Sequence, residues 1–287
     1  MKTLQVKLNP MLPTIKVHCW GGLGSQLYGL ALTHHLKNEC IGRRVTLILH
    51  TGGVTKRKSE LTSLSKSIKV RELDDFQESN FQTSAIGGTK RFKQYFKVIL
   101  LKTRIILDDK VMKSSSSIKP WTISIRGHYT DFSFSNFTLR DISQIVMSQL
   151  NSLSAANRFD ILVHYRLGDL ITLDSKNPLS AKSFGFLSLL PGQIFLVSDS
   201  LDVGVHELKN VLNREVLPVP SKGGFDVLGH ALNSTCFVGS SSKVSDWAIL
   251  FRLMLFPELD NYAPASRKST LARLCATQDS RGLQFFE

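Results

Sequence analysis

The chain has 287 residues, 42% of them apolar, and a formal net charge of +13, so it can bury the core of one large α/β domain or of two ordinary ones without metal or disulfides. Its four cysteines are scattered, with no C-x-x-C pair and no cluster at zinc-ligand spacing, which excludes a zinc finger and favours reduced, buried thiols. No secretory signal is evident, and the longest apolar run, residues 247–257, is broken by Arg252; we therefore expect a cytoplasmic protein with no membrane-spanning helix.

The positive charge is concentrated in one quarter of the chain. Residues 54–126 contain 16 Lys or Arg against 7 Asp or Glu. Such a patch can attract an anionic membrane, a polyanionic ligand or nucleic acid, or it can be a solvated face that only aids solubility. A nucleic-acid-binding module is the least favoured of these, because no recognised motif is present and aromatic residues are interleaved only near residues 92–96.

The first part of the chain has the pattern of strand, glycine turn, helix and strand. β-type residues at 14–20 precede Gly21-Gly22-Leu23-Gly24, apolar residues then recur at helical spacing over 26–36, and a second apolar run covers 45–49. This order is typical of a βαβ unit and favours a parallel sheet with helices packed against it.

The sequence up to about residue 120 is basic and serine-rich, and there we expect loops and one basic helix around residues 90–107. A strand over 121–126 and a helix over 136–150 follow. The helix has apolar residues at a spacing that predicts one inner side, made of Phe137, Ile142, Ile145, Val146 and Leu150.

Beyond a polar candidate linker at 151–157, apolar runs of strand type and helix type alternate regularly. The predicted strands are 160–165, 194–197, 216–219 and 236–239, and the predicted helices are 203–212, 225–232 and 246–256. Alternation of this kind is typical of a doubly wound α/β domain. The sequence therefore predicts an N-terminal Rossmann-like unit over 1–150, which carries the basic insert, and a C-terminal one over 151–287.

Three polar segments of the second half follow predicted strands. They are residues 164–169, 198–200 and 240–245. In doubly wound folds ligands bind beyond the carboxyl ends of the strands, so the three segments are expected to converge on one crevice.

Arg166 is the most informative residue of these segments. An arginine at the end of a buried strand needs an anion, because leaving it unpaired has a large desolvation cost. Its guanidinium fork matches a phosphate, and Asp169 could orient it. An internal Arg166–Asp169 ion pair without a ligand is the alternative interpretation.

The other segments also leave two interpretations open. Residues 21–26 are either a tight strand-to-helix turn or a place where the backbone approaches a phosphate closely. Ser242 and Ser245 are either helix caps or donors to a phosphate or ribose, and for these the cap is favoured. Asp199 is either a helix cap or an acceptor for hydroxyl or base N–H groups of a ligand.

Taken together, five motifs in chain order resemble the α-1,2-fucosyltransferase family (glycosyltransferase family 11-like). They are GGLGSQ at 21–26, GHYTD at 127–131, HYRLGD at 164–169, SDS at 198–200 and SKVSDWA at 242–248. The family typically shows GGLGNQ, a GYFQS-like segment, HxRRGD, an SDD-like segment and S-T/S-F-S-W-W-A. This chain departs from that pattern at several positions, namely Ser25, Leu167, Lys243, Val244 and Asp246.

The resemblance implies a GT-B-like α/β fold with two Rossmann-like lobes and the donor site between them. It further implies transfer of fucose from GDP-fucose with inversion, with no metal and no cofactor. Carried over by position, Arg166 would bind the β-phosphate, and His164 and Asp199 would contact the guanosine part. Ser242 and Ser245 would lie near the diphosphate, while the other lobe would close the site through its glycine turn, that is Gly22, Gly24, Ser25 and Gln26.

No residue is assured as the general base that an inverting displacement needs. The candidates are, in descending order, Asp131, His128 and Asp169, and each has an alternative interpretation as a loop or structural residue.

The function expected from the sequence is therefore a galactoside α-1,2-fucosyltransferase of bacterial surface polysaccharide synthesis. Its partners would be GDP-fucose and a galactose-containing oligosaccharide or lipid-linked acceptor, with no nucleic acid. The basic insert would give peripheral contact with the inner face of an anionic membrane. The same fold with another nucleotide-sugar donor is the main alternative, since Arg166 recognises phosphate rather than fucose.

Overall fold

The computed structural model describes residues 12–40, 42–51, 58–61, 69–73, 98–108, 112–150, 158–167 and 179–287. The chain forms two compact units, Met1–Ile145 and Val146–Glu287. The predicted domain boundary after residue 150 stays a prediction, because the expected linker at 151–157 lies outside the described residues. Within the described ranges, no helix is both long and apolar enough to cross a membrane.

The first unit is built on a five-stranded sheet in which all pairings are parallel, in the order β3-β2-β1-β5-β4. Its strands are β1 (Ile15–Trp20), β2 (Val45–His50), β3 (Lys69–Leu73), β4 (Ile106–Asp108) and β5 (Ser124–Arg126). The helices are α1 (Leu23–Glu39) and α2 (Asn136–Leu150), within which the boundary between the units falls.

β1 shows why these residues form a central strand. Ile15, Val17 and Cys19 alternate along it and are fully buried, because period-two alternation places them on one face of the sheet. α1 packs closely against that face at Gly29, where an added Cβ would lie 2.9 Å from the Cys19 Cβ. The other face of β1 carries His18 and Trp20, which are half-buried.

The second unit has a six-stranded sheet whose pairings are also all parallel, in the order β11-β10-β9-β6-β7-β8. Its strands are β6 (Phe159–His164), β7 (Ile194–Val197), β8 (Val216–Pro218), β9 (Ser234–Val238), β10 (Asn261–Pro264) and β11 (Leu283–Phe286). The helices are α3 (Leu201–Leu212), α4 (Gly224–Leu232), α5 (Lys243–Leu255) and α6 (Lys268–Leu274), and a 3-10 segment covers Ala181–Leu189.

The strand order of the second sheet fixes where a ligand can bind. Counted from β6 as the first strand, it is the doubly wound order 3-2-1-4-5-6 read from the opposite edge. The chain reverses its winding between β6 and β9, which pair directly. The carboxyl ends of these two strands therefore form the topological switch point of the unit.

The predicted fold class, α/β with two Rossmann-like units, is confirmed. Three local predictions need correction. The basic helix expected around 90–107 is helical over 98–102 but gives way to β4 at Ile106, and residues 90–97 lie outside the described residues. Phe137 does not lie on the inner side of α2, since it is 63% exposed near the start of the helix. The strand expected over 121–126 is shorter than predicted, because it begins at Ser124.

A buried arginine ties the second unit together. Arg252 in α5 is fully buried, and its guanidinium donates to the Ala231 carbonyl at 2.5 Å, the Ser234 carbonyl at 2.5 Å and Asn261 Oδ1 at 2.6 Å. The guanidinium of this α5 residue therefore links the helix to the end of α4, to β9 and to β10. Burial is the main cause that lowers the pKa of Arg252, to about 10, so it stays charged at neutral pH.

Candidate functional site

The candidate site lies at the switch point of the second sheet. β6 ends at His164 and continues into Tyr165, Arg166 and Leu167. β9 ends at Val238, and a short turn then leads into the amino end of α5. The residues after both strands therefore lie at the same edge of the sheet, as expected from their positions after predicted strands.

His164 and Ser245 are joined across this switch point, although 81 positions separate them in the chain. His164 Nδ1 lies 2.8 Å from Ser245 Oγ, and the Ser240 N–H donates to the same oxygen at 3.0 Å. Because Ser245 Oγ already accepts that N–H, its own proton is available for Nδ1 of a neutral His164. Space here is tight, since a Cβ on Gly239 would lie 2.9 Å from the Ser245 Cβ.

The pKa of His164 is determined by its burial and by two charged neighbours. Its pKa falls from 6.5 to about 4, chiefly because of burial and secondly because of the positive charge of Arg166, while the carboxylate of Asp199 opposes the fall. His164 is therefore neutral at pH 7. Arg166 and Asp199 both lie close enough to influence the charge of His164. The residues that follow β6 and β7 therefore form one cluster with the first turn of α5.

Asp199 acts on the turn that carries Arg166. The Leu167 N–H donates to Asp199 Oδ1 at 2.7 Å, a hydrogen bond from the segment after β6 to the segment after β7. Arg166, between His164 and Leu167, is half-buried. Its backbone is thus fixed on both sides, which limits the positions that its side chain can take. Gly168 and Asp169 lie outside the described residues, so the alternative Arg166–Asp169 pair stays untested.

Ser242 has the cap role that the sequence favoured. It is the N-cap of α5, and its Oγ accepts the Val244 N–H at 3.2 Å. Lys243 begins the helix, whose 13 residues point their amino end at the carboxyl edge of the sheet. The amino end of a helix presents N–H groups and a partial positive charge, which suit an anionic ligand.

A buried ion pair that the sequence did not predict lies beside this end of the helix. Both carboxylate oxygens of Asp246, which is 1% exposed, accept from Arg267, one of them from Nε at 3.0 Å. Ser241 Oγ also lies 3.4 Å from Ser266 Oγ. The first turn of α5 is therefore held against the segment after β10. No short motif links residues 246 and 267, so only the fold brings them together.

The glycine turn of the first unit forms a tight strand-to-helix connection. Gly21 has a φ of +99°, and Gly22 is the N-cap residue of α1. Gly24, Ser25 and Gln26 lie inside the helix and are buried. The turn therefore has the conformation that its glycines predict.

Gln26 binds backbone groups of its own unit. Its Nε2 donates to the carbonyls of Gly21 at 3.0 Å and Lys58 at 3.2 Å, and its Oε1 accepts the Glu60 N–H at 2.9 Å. Both amide protons are thus engaged within the protein. This residue, expected at the donor, fastens residues 58–60 to the glycine turn.

The base candidates of the first unit follow β5. Asp131 lies in an exposed turn. The His128 ring packs on Trp20 with 4.5 Å between ring centroids, and the Tyr129 hydroxyl donates to the His18 carbonyl. Asp131 is thus accessible, whereas His128 is packed against an aromatic ring. The role of base stays a prediction for either.

The first sheet also contains a pair of imidazoles that the sequence did not predict. His18 Nδ1 lies 2.9 Å from His50 Nε2. The pKa of His18 falls to about 3, through burial first and then the charges of Arg126, His50 and Lys16. The only sequence signal is that both histidines stand on strands, 32 positions apart. Among the described residues there is no group of three His, Cys, Asp or Glu that could hold a metal ion.

Comparison with known proteins gives matches among solved structures. No family model and no characterised protein sequence matches the chain. It is similar to the E. coli heptosyltransferase WaaC with ADP, at 9% identity and a TM-score of 0.46, over 95% of this chain and 92% of that one. It is also similar to the fucosyltransferase NodZ from Bradyrhizobium, at 14% identity and a TM-score of 0.43, over 84% of this chain and 92% of that one.

MurG from Acinetobacter baumannii is a third similar structure, at 11% identity and a TM-score of 0.39, over 95% of this chain and 86% of that one. All three TM-scores are below 0.5 and all identities are 14% or lower. The residues of the chain itself therefore have to carry the functional conclusion.

Proposed function

We propose that the chain is a nucleotide-sugar glycosyltransferase whose second unit binds the donor. The observation that carries the proposal is the cluster of His164, Arg166, Asp199 and Ser245 at the switch point of a doubly wound sheet, next to the amino end of α5. A switch point with a helix amino end and a fixed arginine suits a nucleoside diphosphate.

The chemistry that this cluster supports is departure of a diphosphate. In the proposed reaction the bond between the anomeric carbon and the β-phosphate oxygen breaks, and a bond to the acceptor oxygen forms on the opposite face of the sugar. Negative charge then grows on the β-phosphate, where Arg166 and the amino end of α5 stabilise it. The proton of the acceptor hydroxyl goes to a base, for which Asp131 is our proposal.

The remaining residues of the cluster position the groups that meet the donor. In the proposed arrangement His164 is neutral and its Nδ1 accepts a hydrogen bond from Ser245, so its proton is on Nε2. His164 therefore offers a hydrogen-bond donor, but no positive charge, to the nucleoside part. Asp199 holds the Leu167 N–H through Oδ1, and its other oxygen is proposed to accept from the base or ribose. These assignments agree with the roles implied by the family resemblance.

The finer proposal is that the donor is GDP-fucose and the acceptor a galactose-type hydroxyl, with α-1,2 linkage, inversion and no metal. It is supported by the order of the five motifs, from GGLGSQ at 21–26 to SKVSDWA at 242–248. A second candidate, the same reaction with another nucleotide sugar, is favoured by the nature of the cluster itself, since Arg166 and the helix end recognise phosphate whatever the sugar.

A donor panel separates the two candidates. Thermal unfolding of the full chain is measured with GDP-fucose, GDP-mannose, UDP-galactose and ADP-heptose, because a ligand at 100 times its Kd stabilises by about 2.7 kcal/mol. Release of GDP is then measured with and without β-galactosides. The largest stabilisation is expected with GDP-fucose, together with acceptor-dependent release of GDP from it; a larger shift with GDP-mannose, UDP-galactose or ADP-heptose would favour the second candidate.

Arg166→Ala is the decisive variant. It is expected to lower turnover by at least about 10²-fold, the scale on which one group that stabilises transition-state charge acts. Arg166→Lys should recover part of it, since a lysine keeps the charge but not the fork. Arg158→Ala is the matched control, because Arg158 is exposed just before the same strand. Wild-type turnover in Arg166→Ala, or no nucleotide binding by the wild type, would overturn the proposal.

A further inference from the structure

An exposed apolar surface surrounds the amino ends of β4 and β5 and has no part in the proposed activity. Trp121 is 54% exposed and Ile123 41%, while Val98 and Ile99, in the helical turn before β4, are 45% and 38% exposed. We call these four residues the Trp121 surface. Scattered apolar side chains are normal on a protein, but a group of large ones marks an interaction site.

The Trp121 surface is held in place by the backbone. The Trp121 indole N–H donates to the Thr103 carbonyl at 2.8 Å, and the Ile123 N–H donates to the Ile105 carbonyl at 2.9 Å. The Thr103 N–H in turn donates to the Ile99 carbonyl at 2.9 Å. The segments before β4 and β5 are therefore fastened to each other, and the indole is fixed by its N–H while more than half of it faces solvent.

The charge of the same two segments is entirely positive. Residues 98–104 and 118–123 contain Lys102, Arg104 and Lys119 and neither Asp nor Glu. A fixed tryptophan, large aliphatic side chains and lysines in one place fit the boundary of a lipid bilayer, where the indole lies at the headgroups and the basic side chains meet anionic lipid. A nucleic-acid surface would instead carry several aromatic side chains for stacking on bases.

We infer that the Trp121 surface docks the protein peripherally on an anionic lipid bilayer. The surface is at the amino ends of the strands, whereas Trp20 is the last residue of β1, and His128 and Asp131 follow the carboxyl end of β5 in the same sheet. Docking by the amino ends leaves the opposite edge of that sheet accessible. The inference goes beyond the proposed function and does not depend on it, because lipid binding is measured without any sugar nucleotide.

Vesicle binding by the full chain tests the inference. Phosphatidylcholine vesicles with added phosphatidylglycerol should bind the protein, and pure phosphatidylcholine vesicles should bind it much less. Raised salt should weaken binding, because screening shortens the reach of the charges. Lys102→Glu with Lys119→Glu should lower the partition coefficient at least about tenfold. The matched control is Lys182→Glu with Lys222→Glu, two exposed lysines of the second unit, which should bind as the wild type does.

Tryptophan fluorescence identifies the contact. Trp121 is the most exposed tryptophan, since Trp247 is fully buried and Trp20 half-buried, so the emission should shift to the blue on vesicle binding and Trp121→Phe should abolish the shift. Equal binding by the charge-reversed and control variants, or an unchanged emission of vesicle-bound wild type, would overturn the inference. A wild type that ignores anionic vesicles but retards a short DNA duplex would overturn it in favour of a nucleic-acid partner.

Discussion

Replacing Ser245 by alanine tests whether the cluster at the second switch point is organised as described. The Ser245 hydroxyl serves two groups at once, the Ser240 N–H at 3.0 Å and His164 Nδ1 at 2.8 Å. Ser240 and His164 are 3% and 7% exposed, so water cannot readily replace the lost partner. Leaving a buried polar group unsatisfied costs about 1–3 kcal/mol, and with two such groups the expected loss of unfolding free energy is about 2–4 kcal/mol.

Ser242→Ala is the matched comparison, because Ser242 is the N-cap of the helix that contains Ser245 and is about as buried, but serves one N–H only. Loss of a helix cap costs about 1 kcal/mol. Urea denaturation of the full chain should therefore give a clearly larger loss for Ser245→Ala than for Ser242→Ala, and Ser245→Ala should also weaken GDP binding through the displaced His164. Equal losses, or an order reversed between the two variants, would refute the proposed hydrogen bonds.

Three further predictions concern stability, pH and the base. Arg252→Met should lower the unfolding free energy by more than about 3 kcal/mol, because it leaves the buried carbonyls of α4 and β9 without their donor, as thermal denaturation will show; a loss below that of Ser242→Ala would contradict this. His164 has a folded pKa of about 4, below its unfolded value of 6.5; the unfolded chain then binds more protons between these pH values, so stability should be full above pH 6.5 and fall towards pH 4. His164→Gln should flatten that part of the urea-midpoint profile, and an unchanged slope would refute it. Asp131→Asn should reduce turnover by at least about 10²-fold while leaving the Kd for GDP unchanged, and wild-type turnover would exclude Asp131 as the base.

The elements that the sequence predicted well are those whose own residues determine them. α2 spans the predicted residues, Asn136–Leu150, and β7 spans Ile194–Val197, because a long amphipathic period and a bounded apolar run each specify one conformation. β4 and β11, which the sequence did not predict, have three and four residues. Strands this short form because they pair with a neighbouring strand, and the periodicity of the sequence carries no information about that pairing.

For the candidate site, location was predictable but partners were not. Strand-end reasoning placed Arg166, Asp199 and Ser245 at one edge of a sheet, and the structure describes them there. The hydrogen bond between His164 and Ser245 and the ion pair of Asp246 with Arg267 join residues from separate elements of the fold. Such contacts depend on strand order, and the reversal between β6 and β9 cannot be read from the alternation of strands and helices alone.

The charges of the cluster residues bear on the proposal that its ligand is a diphosphate. Asp246, in the first turn of α5, would repel a phosphate if its charge were unbalanced, but both of its oxygens are taken by Arg267. His164 is neutral at pH 7, and the carboxylate of Asp199 already accepts a backbone N–H. Arg166 lies close enough to influence the charge of His164, and Lys243 begins α5. Together with the partial positive charge of the helix amino end, these cations support the proposed diphosphate ligand, whose negative charge grows as the sugar departs.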